Sequence, residues 1–213
     1  MAKVSAPLLS FSAAGQIAKT QVYSTWRGVP YVRRHVVPNN PNTSEQQATR
    51  NVFSTLNQTW KLSVADAIAP WNAYATGKPL TGRNAYMGQN IAAMRPDSDW
   101  AHYIGSPGSG GGLAPAAFAP SGGSGTIACA LTAPALPDGW SIVKAVAVAR
   151  KNDNPHTTTS FATYCASDSS SPYSPALSGL VAGAYEVAGW FVFLKPDGST
   201  AYGPSITSAA TVS

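Results

Sequence analysis

Charge is what this chain has least of. Only 11% of its 213 residues are Asp, Glu, Lys or Arg, against about 25% in ordinary soluble domains. A surface so poor in charge is either covered by partners or built of the Ser, Thr, Asn and Gly common on β-sandwiches. Cysteine is nearly absent. Cys129 and Cys165 are the only two, which excludes a disulfide framework and any Cys-rich zinc site. Both lie in β-like runs in phase with apolar neighbours and read as buried thiols, with a single disulfide as the alternative. Long apolar runs are missing too. Nothing approaches the ~18–20 residues of a membrane-spanning helix. The Val4–Phe11 stretch is too short and broken for a secretory leader, so the expectation is a chain that does not cross a membrane by that route.

Catalytic signatures are also lacking. There is no nucleophile elbow, zinc-protease helix, P-loop or dinucleotide fingerprint. His35, His102 and His156 are scattered without acidic neighbours at suggestive spacing. Asp97 and Asp99 flank Ser98 and read as a solvated turn. The expectation is no catalytic residue, no metal, no cofactor and no small-molecule substrate.

What is present is unevenly spread. Residues 1–104 carry ten Lys/Arg and four Asp/Glu, net +6, while residues 105–213 carry four and five, net −1. A basic first half suggests an acidic partner. Gly and Pro, 19 and 17 in number, concentrate in turns and in one low-complexity stretch.

Three regions follow. Residues 1–104 read as a β-hairpin plus short helices. Strands over Gln16–Trp26 and Tyr31–Val37 meet at Arg27-Gly28. Thr43-x-x-Gln46 and Ser44-x-x-Gln47 are overlapping helix-start signals, and Ala48, Val52, Leu56 and Trp60 form an apolar stripe. Ser63-x-x-Asp66 reads as the start of a second helix, which Pro70 is expected to break or kink. A third runs from Leu80 towards Met94. Residues 105–125 read as a flexible Gly/Pro/Ser-rich linker. Residues 126–213 alternate like an antiparallel β-sandwich, with strands expected at Thr126–Leu131, Trp140–Arg150, Thr157–Cys165, Tyr185–Leu194 and Ala201–Thr211. The fold class is therefore α+β.

Two places carry interaction signals. Trp26, Arg27, Tyr31, Arg33 and Arg34 have the aromatic–arginine composition of interface anchors. The same cluster could grip nucleic acid, but the charges form no dense stripe, and this is the weaker reading. In Tyr185–Leu194 both faces are apolar apart from Glu186, so the outer face, with Trp190, should be covered by the N-terminal region or by another subunit.

Leu180 preceding Tyr185 by five residues, with Ala201-Tyr202-Gly203-Pro204-Ser205, resembles fibronectin type III domains over about 35 residues. A longer string lies upstream. It comprises Gly28-x-x-Tyr31-Val32-Arg33, Pro38, Asn40-Pro41-x-Thr43-x-x-Gln46-Gln47-x-x-Arg50-x-x-Phe53, Trp60, Trp71-Asn72-x-Tyr74 and Leu80-Thr81-Gly82-Arg83-Asn84-x-Tyr86. Together these resemble a family of small virion structural proteins of tailed bacteriophages. The resemblance implies a multi-copy or homo-oligomeric virion part, assembled in the host cytoplasm, whose partners are major capsid or neck and tail subunits. Capsid decoration or cementing is the favoured role, a neck or tail component the second, and a nucleic-acid-binding accessory protein the third.

Overall fold

Arg27 and Gly28 both take positive φ, 48° and 78°, the pattern of a two-residue hairpin turn that matches strand twist. The turn joins β3 (Gln21–Trp26) to β4 (Val29–Arg34). With β1 (Ala2–Lys3) and β2 (Gly15–Ile17) they form an antiparallel sheet in the order β1-β4-β3-β2. The first expected strand is broken. Ala18 and Lys19 take φ of 47° and 55°, and the Thr20 N–H bonds back to the Ile17 carbonyl at 2.9 Å. Gln16–Trp26 is thus itself a small hairpin. Pro30 sits opposite Thr25, next to the terminal pair, where a ring nitrogen points away from β3 and removes no bond to it.

The computed structural model describes residues 2–3, 13–37, 39, 41–94, 100–152 and 163–213. The chain divides into two units, Met1–Asn42 and Thr43–Ser213. The first holds the four-stranded sheet β1-β4-β3-β2; the helices belong to the second, with the sandwich. The sequence boundary drawn at residue 104 is therefore not where the structure divides. Asp97, Asp99 and His156 lie outside the described residues, as does most of the expected strand Thr157–Cys165.

The second unit begins with α1 (Ser44–Leu62), capped by Thr43, whose hydroxyl accepts from the Gln46 N–H at 3.3 Å. Ser63 closes α1 instead of opening the next helix. Its N–H reaches the Trp60 carbonyl and its hydroxyl donates to Thr59 O at 2.7 Å. Next comes α2 (Ala65–Ala75), with Val64 at its N-cap and Pro70 inside it. The helix continues through Pro70 because Trp71, 1% exposed, is anchored: its indole N–H donates to Gly105 O at 2.9 Å. Buried packing outweighs one missing helix bond. α3 (Gly82–Met94) follows. Among the described residues, no helix is long and apolar enough to cross a membrane.

Among the described residues, the strands that follow are β5 (Pro107–Ser109), β6 (Ala117–Gly122), β7 (Thr126–Thr132), β8 (Ser141–Lys151), β9 (Thr163–Asp168), β10 (Ala176–Ser178), β11 (Gly183–Leu194), β12 (Thr200–Pro204) and β13 (Ile206–Val212). The small sheet is β10-β7-β6. The large one is β5-β12-β11-β8-β9, with β13 also on β11. β12 and β13 are one strand interrupted by a bulge. Val192 pairs with Tyr202 and Gly189 with Ile206, so one extra residue enters at Ser205. The Ser205 hydroxyl accepts from the N–H groups of Gly105 and Ser106 at 3.0 and 3.2 Å.

Residues 105–125, read from composition as a linker, are thus structural. They supply β5 and β6, which pair with β12 and β7, and they seat on the bulge.

Period-two alternation sorts the large sheet into two apolar faces. Tyr185, Val187, Phe191 and Phe193 of β11 and Ala145, Ala147 and Ala149 of β8 pack with Ile127, Cys129 and Leu131 of the small sheet. On the other face, Val146, Val148, Trp190 and Val192 pack with Ala67 of α2. Ala188 joins the helical cluster of Leu56, Trp71 and Tyr86. The unit is a layer of helices on a large sheet on a small sheet. At the entry to β11, the Tyr185 hydroxyl donates to Val181 O at 2.8 Å, the tie that pins a sandwich corner.

Candidate docking surface

Strand register decides which side chains of the small N-terminal sheet act together. Val22 pairs with Arg33, Ser24 with Tyr31 and Trp26 with Val29, so these six share one face. Gln21 with Arg34, Tyr23 with Val32 and Thr25 with Pro30 share the other. The structure therefore brings Trp26, Tyr31 and Arg33 together and sends Arg34 to the opposite side. Arg27 lies in the turn with its guanidinium 4.8 Å from the Trp26 ring centroid, close enough for a cation–π contact.

None of this sheet's residues with a described side chain is buried. Trp26 is 65% and Val29 41% exposed, so the hairpin tip carries an open apolar pair. The sequence marked Trp26 but missed Val29. Only the register puts the two opposite each other, and the tight Arg27-Gly28 turn was the available signal.

A second open surface is the start of α1. Residues 44–51 are all exposed, and burial begins only at Val52. Beyond it, Phe53 is half-exposed. The capping signals located this helix, but nothing local showed that its first two turns stand clear of the core.

Trp190 is not a surface residue. It is 0% exposed, enclosed by Ala67, Val146, Val148 and Val192 with Gly105 over its ring. The expectation that β11's outer face is covered holds, and the cover is the chain's own helices. The expectation that Trp190 binds a partner is withdrawn, because no area of it remains to be bound.

One buried polar group was not foreseen. Arg150, at the end of the apolar β8 run, is 1% exposed and donates to the Thr59 hydroxyl of α1. Its register partner across the ladder is the buried Glu186, which accepts from Asn152 Nδ2 at 3.3 Å. Burial lowers the guanidinium pKa to about 10, opposed by the neighbouring Tyr86 and Tyr103 phenols, so it stays charged at neutral pH. Burial raises both phenols. The group joins helix to sheet. It offers no open site for a reacting molecule.

Among the described residues, no three His, Cys, Asp or Glu side chains stand close enough to hold a metal ion. Cys129 and Cys165 are both free. They cannot bridge: Cys129 packs between the two sheets, and Cys165 on the helix side of the large one. Burial pushes both thiols up to about 12. With pKa raised, the thiolate fraction at pH 7–8 is negligible, and only the thiolate is a nucleophile. Native protein given a thiol-reactive dye at that pH should therefore stay unlabelled while denatured protein labels at both positions. Rapid labelling of the native state would contradict this environment.

Compared with known proteins, the chain matches no family model, and no curated protein matches it.

Proposed function

We propose that this chain is a non-enzymatic structural component of a tailed-phage virion, a capsid decoration or cement protein whose N-terminal sheet docks and whose second unit covers. The observation that carries the reading is a contrast in burial. The second unit closes both faces of its large sheet with its own residues, fifteen buried side chains forming one cluster alone. Among the described residues, the N-terminal sheet has no buried side chain, and the first two turns of α1 are equally open. A sheet stabilises itself by burying a face against another layer, so one without a core is completed by a partner. The phage-like string from Gly28 to Tyr86 spans that sheet and the helices that follow it. The low charge of the whole chain suits subunits packed side by side.

The test is quantitative mass spectrometry on purified particles. A copy number commensurate with the major capsid subunit supports decoration. A number far below it moves the protein to the neck or tail. Absence from purified particles overturns the virion reading.

A further inference from the structure

We propose that the Val22–Trp26–Val29–Tyr31–Arg33 face of the N-terminal sheet, with Arg27 at its tip, docks an acidic protein surface, and that the Arg34 face does not. This deepens the reading of the sheet as the docking element and rests on it.

Three observations converge. The first is charge. The first 44 residues contain Lys3, Lys19, Arg27, Arg33 and Arg34 and no Asp or Glu. The segment carries positive charge without internal compensation, and its complement is negative.

The second is asymmetry between faces. Trp26 and Val29, 65% and 41% exposed, lie on the Arg33 face. Each face has three exposed and three half-buried residues, but the exposed ones on the other face are Gln21, Thr25 and Arg34, with no exposed apolar side chain among them. Exposed aromatic and aliphatic groups beside an arginine are the composition of an interface centre.

The third is the platform at the tip. Arg27 lies over the Trp26 ring. Stacking restrains the guanidinium while leaving its donor edge available, the arrangement that receives a carboxylate through two parallel hydrogen bonds.

The same cations argue against nucleic acid. A duplex is held by a row of phosphate contacts. Here register separates Arg33 from Arg34 onto opposite faces, and most of the remaining surface is apolar or uncharged.

The experiment uses the full-length chain, immobilised and panned against a random-peptide library, with a short random-sequence duplex DNA as a parallel probe. Recovered peptides should be enriched in Asp and Glu together with apolar residues. Arg33→Glu and Trp26→Ala should each cut recovery by about tenfold or more, the size of a central anchor. Arg34→Glu, which makes the same charge reversal on the other face and reports on folding of the sheet, should change it by less than about twofold. Enrichment of neutral or basic peptides, no enrichment, or equal losses for Arg33→Glu and Arg34→Glu would overturn the proposal. So would DNA binding at micromolar affinity with a steep salt dependence. Because no arm uses particles, acidic-peptide selection by a chain absent from particles would sink only the virion reading.

Discussion

Trp190→Ala is expected to lower the free energy of unfolding by about 3–5 kcal/mol, the range for removing a large aromatic from a core. The side chain is fully enclosed between the large sheet and the helical layer, against Ala67, Val146, Val148 and Val192. An indole buries roughly 150–250 Å². At ~25 cal/mol per Å² this transfer sets an upper bound of about 4–6 kcal/mol, since the unfolded chain already buries part of that area. The fit is tight on one side: a Cβ on Gly105 would come within 2.9 Å of Trp190 Cζ3. Chemical denaturation of the full chain measures the loss as a lower midpoint. Trp190→Phe should cost less than half as much. It keeps an aromatic ring and removes the indole N–H, which is buried without a hydrogen-bond partner and carries a desolvation penalty of ~1–3 kcal/mol. A loss below about 1 kcal/mol for Trp190→Ala would contradict a site buried by its own chain and return the residue to the surface.

The covered face was legible because a strand apolar on both sides admits one reading: each side has a neighbour. Which neighbour it was depended on long-range packing, and no local pattern in α2 pointed to β11. The hairpin was legible down to its turn, since Gly28 between two β-rich runs has a specific backbone use. Dividing its residues into faces needed the register, which showed that Arg33 and Arg34, adjacent in sequence, cannot serve one surface. Ser63 was misassigned because the same hydroxyl pattern can cap a helix start or bond back to the preceding turn, and Thr59 O was nearer. Arg150 left no signal. A charged residue ending an apolar run usually marks where a strand reaches water, whereas here α1 covers that end.

The glycine-rich stretch was the largest misreading, and its correction leads to the second large effect. Gly112→Ala and Gly122→Ala should each destabilise the chain by about 3 kcal/mol or more, at the upper end of overpacking. A Cβ on Gly122 would lie 1.7 Å from Thr211 O, and one on Gly112 would lie 2.2 Å from Tyr202 O. Both obstacles are backbone, so no side chain can swing aside. β6 could not then approach β13 as it does, and the loop after β5 could not lie on β12. Composition cannot show this, because glycine serves equally where a chain must flex and where two backbones must touch. The substitutions separate the two uses. In a flexible linker, Gly→Ala is neutral or mildly stabilising, because it reduces the freedom of the unfolded chain. Gly88 supplies the control. It is exposed on α3 with nothing within 4 Å of a built Cβ, so Gly88→Ala should stabilise by roughly 0.5–1 kcal/mol. Thermal or denaturant unfolding of the three variants should place Gly88→Ala above the parent and the other two well below it. If Gly112→Ala and Gly122→Ala unfold with the parent, residues 105–125 are a tether after all, and the strands β5 and β6 do not hold the sandwich together.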